Sequence, residues 1–524
     1  MRGKPPATAL RTGLVALALS LGWIVPTVSA ADPCPAPAPP MRFEKPVYVD
    51  EDRAGGEPSV VALQDGSLLY GAHAGTTHFY TPDVLGESTP AFVKNYTGQT
   101  YYWRSADHGK TWTFIPRTLP DSDPFSGFSD PDFAIDKAGQ VYISEINLVN
   151  VAMSKSTDGG KSYALQNLFA MTLTDRQWSE ADEKNVVYLV GNASGGGTST
   201  NPVGNSGHFL YKSKDGGVTF TPGTPDGDGL GDLQVDKRDG TLYEAYYGDG
   251  TLSIAAFRKA RQDKLTPEIH PTAKGVGLLS HWPAIDVDRE GNLYIVWDES
   301  GRGDAKRAAG IWYSYSTDRG KTWAKAVRVD DGPGTDIWPW IAVGSEGRVG
   351  IAWFGTAQAL PDQDAETPGE HGWNVYAAQT ITGLGCGAGK APKFRVTQAT
   401  DEPFHRGTIC MGGTACQAEL IDRRLGDYMT IDIDPGGRLV AAYSDTRKDG
   451  SVALGAFLRQ SGGESFIASA PKGTPKTAVR GTKTTRLPST ETLPATGVGW
   501  PLTVAWSLVG VALILAFWRR RHNA

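Results

Sequence analysis

The chain has 524 residues, 64 of them glycine and 34 proline, with 51 Lys+Arg against 57 Asp+Glu. Eleven of the basic and one of the acidic residues lie in the first 30 and last 54 positions, so residues 31–470 carry 40 basic and 56 acidic side chains, a net of −16. A body of that sign argues against nucleic acid as a partner, because phosphate backbones select basic surfaces, and the glycine and proline content speaks for many turns and against a helical protein.

The first 30 residues have a basic front, an apolar middle and small residues at the end, closing on VSAAD. That is the layout of a secretory signal peptide over residues 1–30, cut near Ala30 or Ala31. The apolar run is too short for a membrane anchor. A secreted chain with four cysteines (Cys34, Cys386, Cys410 and Cys416) is expected to form disulfides. Cys410 and Cys416 bracket the short loop MGGTA and are expected to pair, which leaves Cys34 for Cys386. No C-x2-C pair occurs, so a zinc reading of the cysteines is poor.

From there a hairpin pattern recurs. Seven stretches run from a polar or Pro start through an alternating strand, a Gly or Asn turn and a second strand. They begin at Glu57 (EPSVVALQDGSLLYGA), Asp130, Arg176, Leu230, Trp282 (WPAIDVDREGNLYIVW), Trp338 and Tyr428, with 46 to 90 residues between successive starts. Period-two patterning around such a turn predicts a β-hairpin. After four of the copies comes an octamer of the form S-x-D-x-G-x-[TS]-[WYF]: SADHGKTW from Ser105, STDGGKSY from Ser156, SKDGGVTF from Ser213 and STDRGKTW from Ser316. Each octamer predicts a second hairpin in the same unit. Four strands per unit, repeated, is the pattern of a β-propeller. The expectation is an all-β fold, one propeller within residues 31–470, with seven four-stranded blades favoured and six if the first and last copies share a blade.

The octamer aspartates Asp107, Asp158, Asp215 and Asp318 are expected to accept N–H groups of their own turns, with the Gly supplying a positive φ and the aromatic packing between sheets. Four equivalent turns cannot all be one active site.

Beyond the body, residues 471–492 are a basic, Pro/Thr-rich stretch expected to act as a flexible linker or stalk. Residues 493–524 then carry LPATG, an uncharged, mostly apolar run at 500–518 and a basic tail at Arg519–Arg521. The run is long enough to span a bilayer with the basic end held inside. This order resembles the sortase cell-wall sorting signal of Gram-positive bacteria. The resemblance implies cleavage between Thr496 and Gly497 and attachment to peptidoglycan; an ordinary C-terminal membrane anchor is the alternative. Either way the expected place is the cell surface, with the membrane a partner through this segment before processing.

The octamers resemble the Asp-box, or bacterial neuraminidase, repeat. Together with the hairpin copies they resemble the sialidase superfamily of propellers over nearly all of residues 41–460. That resemblance implies three arginines holding a sugar carboxylate, one in an Arg-Ile-Pro motif, with a Tyr–Glu nucleophile pair and an Asp acid/base. Arginine forks match a carboxylate in two-point fashion. Here Gly56-Glu57-Pro58 stands where Arg-Ile-Pro is expected. Arg176 and Arg423 or Arg424 are the remaining anion-ligand candidates.

The copy starts would ring the central channel. They supply Glu57, Asp130, Asp175 with Arg176, Asp232, His281 with Trp282, Asp336 with Trp338, and Asp427 with Tyr428. From these, Glu57, Asp130, Asp175, Arg176, His281 and Asp427 are the candidate catalytic residues. Such an acidic mouth with interleaved aromatics suits a neutral sugar or a cation; it requires no cofactor, though an oxygen-rich ring can hold Ca²⁺, and carboxylate pairs can hydrolyse glycosides. The plainer reading is that these groups cap strands and bond neighbouring blades. His405 is expected at the surface. Two functions follow: a surface glycosidase of sialidase type, or a non-catalytic adhesin or scaffold. Either engages extracellular carbohydrate or a cell-surface glycoconjugate; a metal-dependent lyase or hydrolase is a weaker third.

Overall fold

The computed structural model describes residues 34–468 except 74–99, 117–127, 148–149, 173, 194–206, 228–230, 249, 278, 300–309, 362–363, 387–388, 412–420 and 449–451. The signal peptide, the linker and the sorting segment with Thr496 and Gly497 lie outside the described residues, as does Cys416. Among the described residues no helix is long and apolar enough to cross a membrane.

The chain folds into seven antiparallel sheets of four or five strands, a seven-bladed β-propeller. Each hairpin copy forms the two inner strands of a blade. In blade 1 these are Gly56–Ala62 and Leu68–His73, followed outward by Tyr101–Ser105 and Thr113–Phe114. The innermost strands of blades 2 to 7 are Phe128–Ile135, Thr174–Ala181, Leu233–Asp236, Ala284–Val287, Thr335–Val343 and Thr430–Ile433. The first and last copies therefore do not share a blade.

Closure comes from residues that precede the first copy. Arg42–Phe43 and Val47–Tyr48 both pair with Leu454–Gly462 on the outside of blade 7. Two-residue strands carry no periodicity, which is why the sequence pattern does not show them. The Cys34–Cys386 disulfide ties the segment ahead of this seal to blade 6, across a sequence separation of 352. Cys410 is also disulfide-bonded.

The core is repeated rather than central. One position of the second strand is tyrosine in four blades (Tyr142, Tyr188, Tyr243 and Tyr294) and leucine in blade 1 (Leu69), and all five are 0% exposed. A valine or leucine precedes each of the five, and each pair of sheets closes over such a layer, as facing sheets must to bury their apolar sides.

The four Asp-box octamers make the turns between third and fourth strands of blades 1, 2, 3 and 5. Their bonding is the same each time. In the first, Gly109 N–H donates to Ser105 Oγ at 2.8 Å, Thr111 N–H to Asp107 Oδ1 at 2.9 Å, and the Thr111 hydroxyl to Asp107 Oδ2 at 2.6 Å. Asp158, Asp215 and Asp318 accept the matching pair from Ser162, Thr219 and Thr322. Burial pushes Asp107 up, but the Thr111 and Ser105 hydrogen bonds prevail and hold it at about 2. Gly109 has φ +85°, and a Cβ there would collide with the Phe457 ring of blade 7. Trp112 packs on that same ring, centroids 5.2 Å apart. Each box thus locks its turn with charge and presses it on the neighbouring blade.

Candidate functional site

The innermost strands all begin at one end of the channel, and four begin with an unusual backbone. Glu57, Asp130, Arg176 and Trp338 hold the same repeat position and have φ of 47°, 51°, 57° and 57°. The pairing register shifts there in each blade, between Gly56 and Ser59, Ser129 and Asp132, Asp175 and Trp178, and Ile337 and Trp340. A left-handed side-chain-bearing residue costs roughly 1–2 kcal/mol. Four in one ring mark a place where side chains are re-aimed by bulges, as happens beside functional sites.

These bulges gather one cluster. His73 Nε2 lies 2.8 Å from Glu57 Oε2, and the Arg423 guanidinium donates to Glu57 Oε1 at 3.3 Å. The same guanidinium takes Asp427 with both terminal nitrogens, one at 2.8 Å. Burial works against ionisation of Asp427, yet the Arg423 charge beside it holds its pKa below the usual carboxylate range. Glu57, His73 and Arg423 are buried, whereas Asp130, Arg176, His281 and Asp427 are half-buried. Arg176 lies over the Trp282 ring at 5.2 Å, and His281 stacks on that ring with centroids 3.4 Å apart. Burial pushes His281 down to about 3, against the pull of Asp427, so it is neutral at physiological pH.

Below the cluster lies an aromatic plug drawn from four blades. Trp178 packs on Trp282, Trp340 and Tyr428 at 5.3, 5.2 and 5.5 Å. At and beyond this plug the channel carries five carboxylates, and each accepts a backbone N–H. Those accepted from the next blade come from Ser179 to Asp132 at 2.7 Å, Ile285 to Asp232 at 3.3 Å, Val343 to Asp286 at 2.6 Å and Ala62 to Asp432 at 2.8 Å. Glu180 accepts the Ala181 N–H at 3.2 Å. Burial raises Asp132 and Glu180 to about 7, Asp286 to about 8 and Asp432 to about 6, with Asp232 also pushed well up. The four inter-blade bonds stitch the blades together, and near neutral pH Asp286 is largely protonated, Asp132 and Glu180 about half so, and Asp432 mostly ionised.

Five of the six candidates read from the sequence, Glu57, Asp130, Arg176, His281 and Asp427, therefore meet at the mouth. The backbone of Asp175 is in its strand, but its side chain lies outside the described residues. Asp232 stands among the channel carboxylates, and Asp336 accepts the Trp353 indole N–H at 2.7 Å inside blade 6. His405 is not at the surface: it is 1% exposed, bonded to Thr446 Oγ1 at 3.0 Å and the Thr408 carbonyl at 2.9 Å. The expectation failed because the Cys410 segment folds inward, with Phe404 and Ile409 in the core. Two members of the cluster were not among the six catalytic candidates, although Arg423 was one of the anion-ligand candidates. His73 faces the start of the first copy across its hairpin, Gly56 pairing with His73, so the hairpin register was the signal for it. Arg423 precedes the last copy, as Arg176 opens the third.

The mouth also concentrates unsatisfied polar atoms. Gln177 Oε1, both His281 ring nitrogens, Trp282 Nε1, Trp338 Nε1 and Arg423 Nε are buried without a hydrogen-bond partner. Glu57, His73 and Asp130 each offer one atom within 4.8 Å of the others, a set that could hold a metal. It includes a nitrogen and adjoins the Arg423 guanidinium, which fits poorly with the all-oxygen shell of calcium. A cavity of about 160 Å³ beside the Cys34–Cys386 bridge is lined by none of these residues.

The profile of the BNR/Asp-box repeat matches residues 314–325, the blade 5 octamer. No curated protein matches the chain. Among solved structures it is similar to the endosialidase of phage phi92, with 10% identity, TM-score 0.42, and 89% of this chain and 76% of that one covered. It is also similar to the NanB sialidase of Streptococcus pneumoniae, with 12% identity, TM-score 0.40, and coverage of 80% and 70%. A third is the α-L-arabinofuranosidase Arb93A of Fusarium graminearum, with 13% identity, TM-score 0.38, and coverage of 80% and 97%. Likeness at this level carries nothing about what the mouth binds.

Proposed function

We propose that the channel mouth binds an uncharged extracellular glycan, and that the chain presents it at the cell surface after secretion and attachment through LPATG. The observation that carries the reading is the concentration of partnerless buried polar atoms on His281, Trp282, Trp338, Gln177 and Arg423. Buried polar groups are nearly always satisfied, and the hydroxyls of a sugar both donate and accept. Arg423 is committed to Asp427 and Glu57, so it is not a free fork for a sialic acid carboxylate. Asp130 and Asp427 add negative charge beside Arg176, which disfavours an anionic sugar further. Binding needs no calcium in this reading.

The test is a glycan array probed with the purified secreted protein and with a Trp282→Ala variant of matched thermal stability. Signals on neutral glycans that the variant loses support the reading. Signals confined to sialylated glycans, or none from well-folded protein, overturn it.

Retaining glycoside hydrolysis is a second reading with one observation behind it. A carboxylate oxygen of Glu57 lies within 4.8 Å of one on Asp130, near the separation of about 5 Å that retaining enzymes use. Release of nitrophenol from neutral aryl glycosides, lost in Glu57→Gln, would support it; no turnover with any of them leaves the binding function alone.

A further inference from the structure

A second cluster of ligating side chains lies away from the mouth, between blades 3 and 4. His208 is on the third strand of blade 3, Gly207–Ser213, and Asp226 on its outermost strand, Thr224–Gly227. Glu244 is on the second strand of blade 4, Thr241–Gly248. All three are buried, at 3%, 3% and 1% exposure. His208 Nδ1 stands 2.8 Å from Asp226 Oδ1 and 3.1 Å from Glu244 Oε1, and one ligating atom of each lies within 4.8 Å of the others.

Two further facts separate this group from an ordinary buried ion pair. His208 Nε2 has no hydrogen-bond partner, and the two carboxylates are left to face each other and the single His208 Nδ1. Among the described residues, no lysine or arginine forms a salt bridge with Asp226 or Glu244. Two buried carboxylates facing one imidazole are costly unless something neutralises them. A divalent cation does so with the imidazole neutral.

We propose that His208, Asp226 and Glu244 bind a divalent transition-metal ion of the zinc class, which ties blade 3 to blade 4. One nitrogen and two carboxylate oxygens suit such an ion, whereas calcium takes six to eight oxygens. Zinc bonds of about 2.0–2.2 Å place tetrahedral ligands about 3.3 Å apart, so the present spacings need to open only slightly. The near-complete burial makes the role structural, with the ion closed off from substrate.

The experiment uses untagged, full secreted protein purified without chelator. Elemental analysis is expected to find about one equivalent of zinc-class metal. Stripping with dipicolinate is expected to lower Tm by several degrees, restored by Zn²⁺ and not by Ca²⁺. His208→Ala and Glu244→Gln should lose the metal, whereas His73→Ala, at the mouth, should keep it. The wild-type stripping result stands even if the variants fail to fold. Less than a tenth of an equivalent after incubation with Zn²⁺, an unchanged Tm, or metal kept by His208→Ala and lost by His73→Ala would each overturn the proposal.

Discussion

Asp107 at an octamer turn of blade 1 and Asp286 in the channel on blade 5 are the same residue type, yet their charges are opposite in consequence. Asp107 takes two hydrogen bonds from Thr111 and one from Ser105 at a wet turn, and sits at about 2. Asp286 takes N–H bonds from Val287 and Val343, both at 2.6 Å, but burial outweighs them and raises it to about 8. Desolvation and hydrogen bonding compete at both sites, and exposure decides which wins. An acidic ring counted from the sequence is therefore not a ring of negative charge. The charge available to a ligand is that of the mouth above the aromatic plug, where Arg423 and Arg176 offset Glu57, Asp427 and Asp130.

The largest expected effect tests that mouth. Arg423→Ala leaves Glu57 and Asp427 facing each other without their cation and is expected to cost about 3–5 kcal/mol in urea unfolding. Adding Asp427→Asn should recover part of it. A loss below about 1 kcal/mol would show that the mouth charges are not paired as described.

At the octamer turns, Asp107→Ala removes the acceptor for Thr111 N–H and Oγ–H and is expected to cost about 1–2 kcal/mol, with Asp158→Ala similar. No loss would mean that the turn is held by its glycine and aromatic alone.

The channel group predicts a pH dependence with a definite sign. Raised pKa values mean that the folded state holds protons the unfolded state has released, so this stability is full below about pH 4 and lost as pH rises through 6 to 8. His281, lowered to about 3, acts oppositely, but only below its unfolded value near 6.5. Between pH 6.5 and 8.5 the carboxylates act alone, so Tm should fall. Asp286→Asn should flatten that fall by about 1–2 kcal/mol. A Tm that rises over this interval contradicts the protonated channel.

The smallest effect lies at acid pH. The octamer aspartates give stability above about pH 4 that is lost as pH falls towards 2. Being partly exposed, each should contribute about 0.5–1 kcal/mol, seen as a shallower acid limb in Asp318→Asn.

The fold was legible because the propeller repeats its own grammar. Seven hairpin copies and four octamers point to a propeller of four-stranded blades and favour seven of them without any long-range information; six stayed open until the first and last copies proved to lie in separate blades. The seal through Arg42–Phe43 was not legible, since pairing with Leu454–Gly462 depends on ring closure and not on local pattern. At the mouth, copy starts named Glu57, Asp130, Arg176, His281 and Asp427 because strand starts converge on the axis. The partnership of Arg423 with Glu57 needed three-dimensional placement across 366 residues of sequence, although its other partner, Asp427, lies only four residues on. Glu180, Asp286 and Asp432 share one column of the aligned copies, two before the turn aspartates Asp182, Asp288 and Asp434. That column was readable, but its protonation was not, because burial is set by the plug.

The most direct measurement is a carboxyl ¹³C NMR titration of Asp- and Glu-labelled protein from pH 2 to 9, with resonances assigned by Asp107→Asn, Asp286→Asn and Asp432→Asn. The expected result is two separated groups, Asp107, Asp158 and Asp318 titrating near 2 and Asp132, Glu180, Asp286 and Asp432 between about 6 and 8. Channel carboxylates titrating at the ordinary value near 4 would contradict the account, and would turn the channel into a strongly anionic site suited to a cation instead of an uncharged glycan.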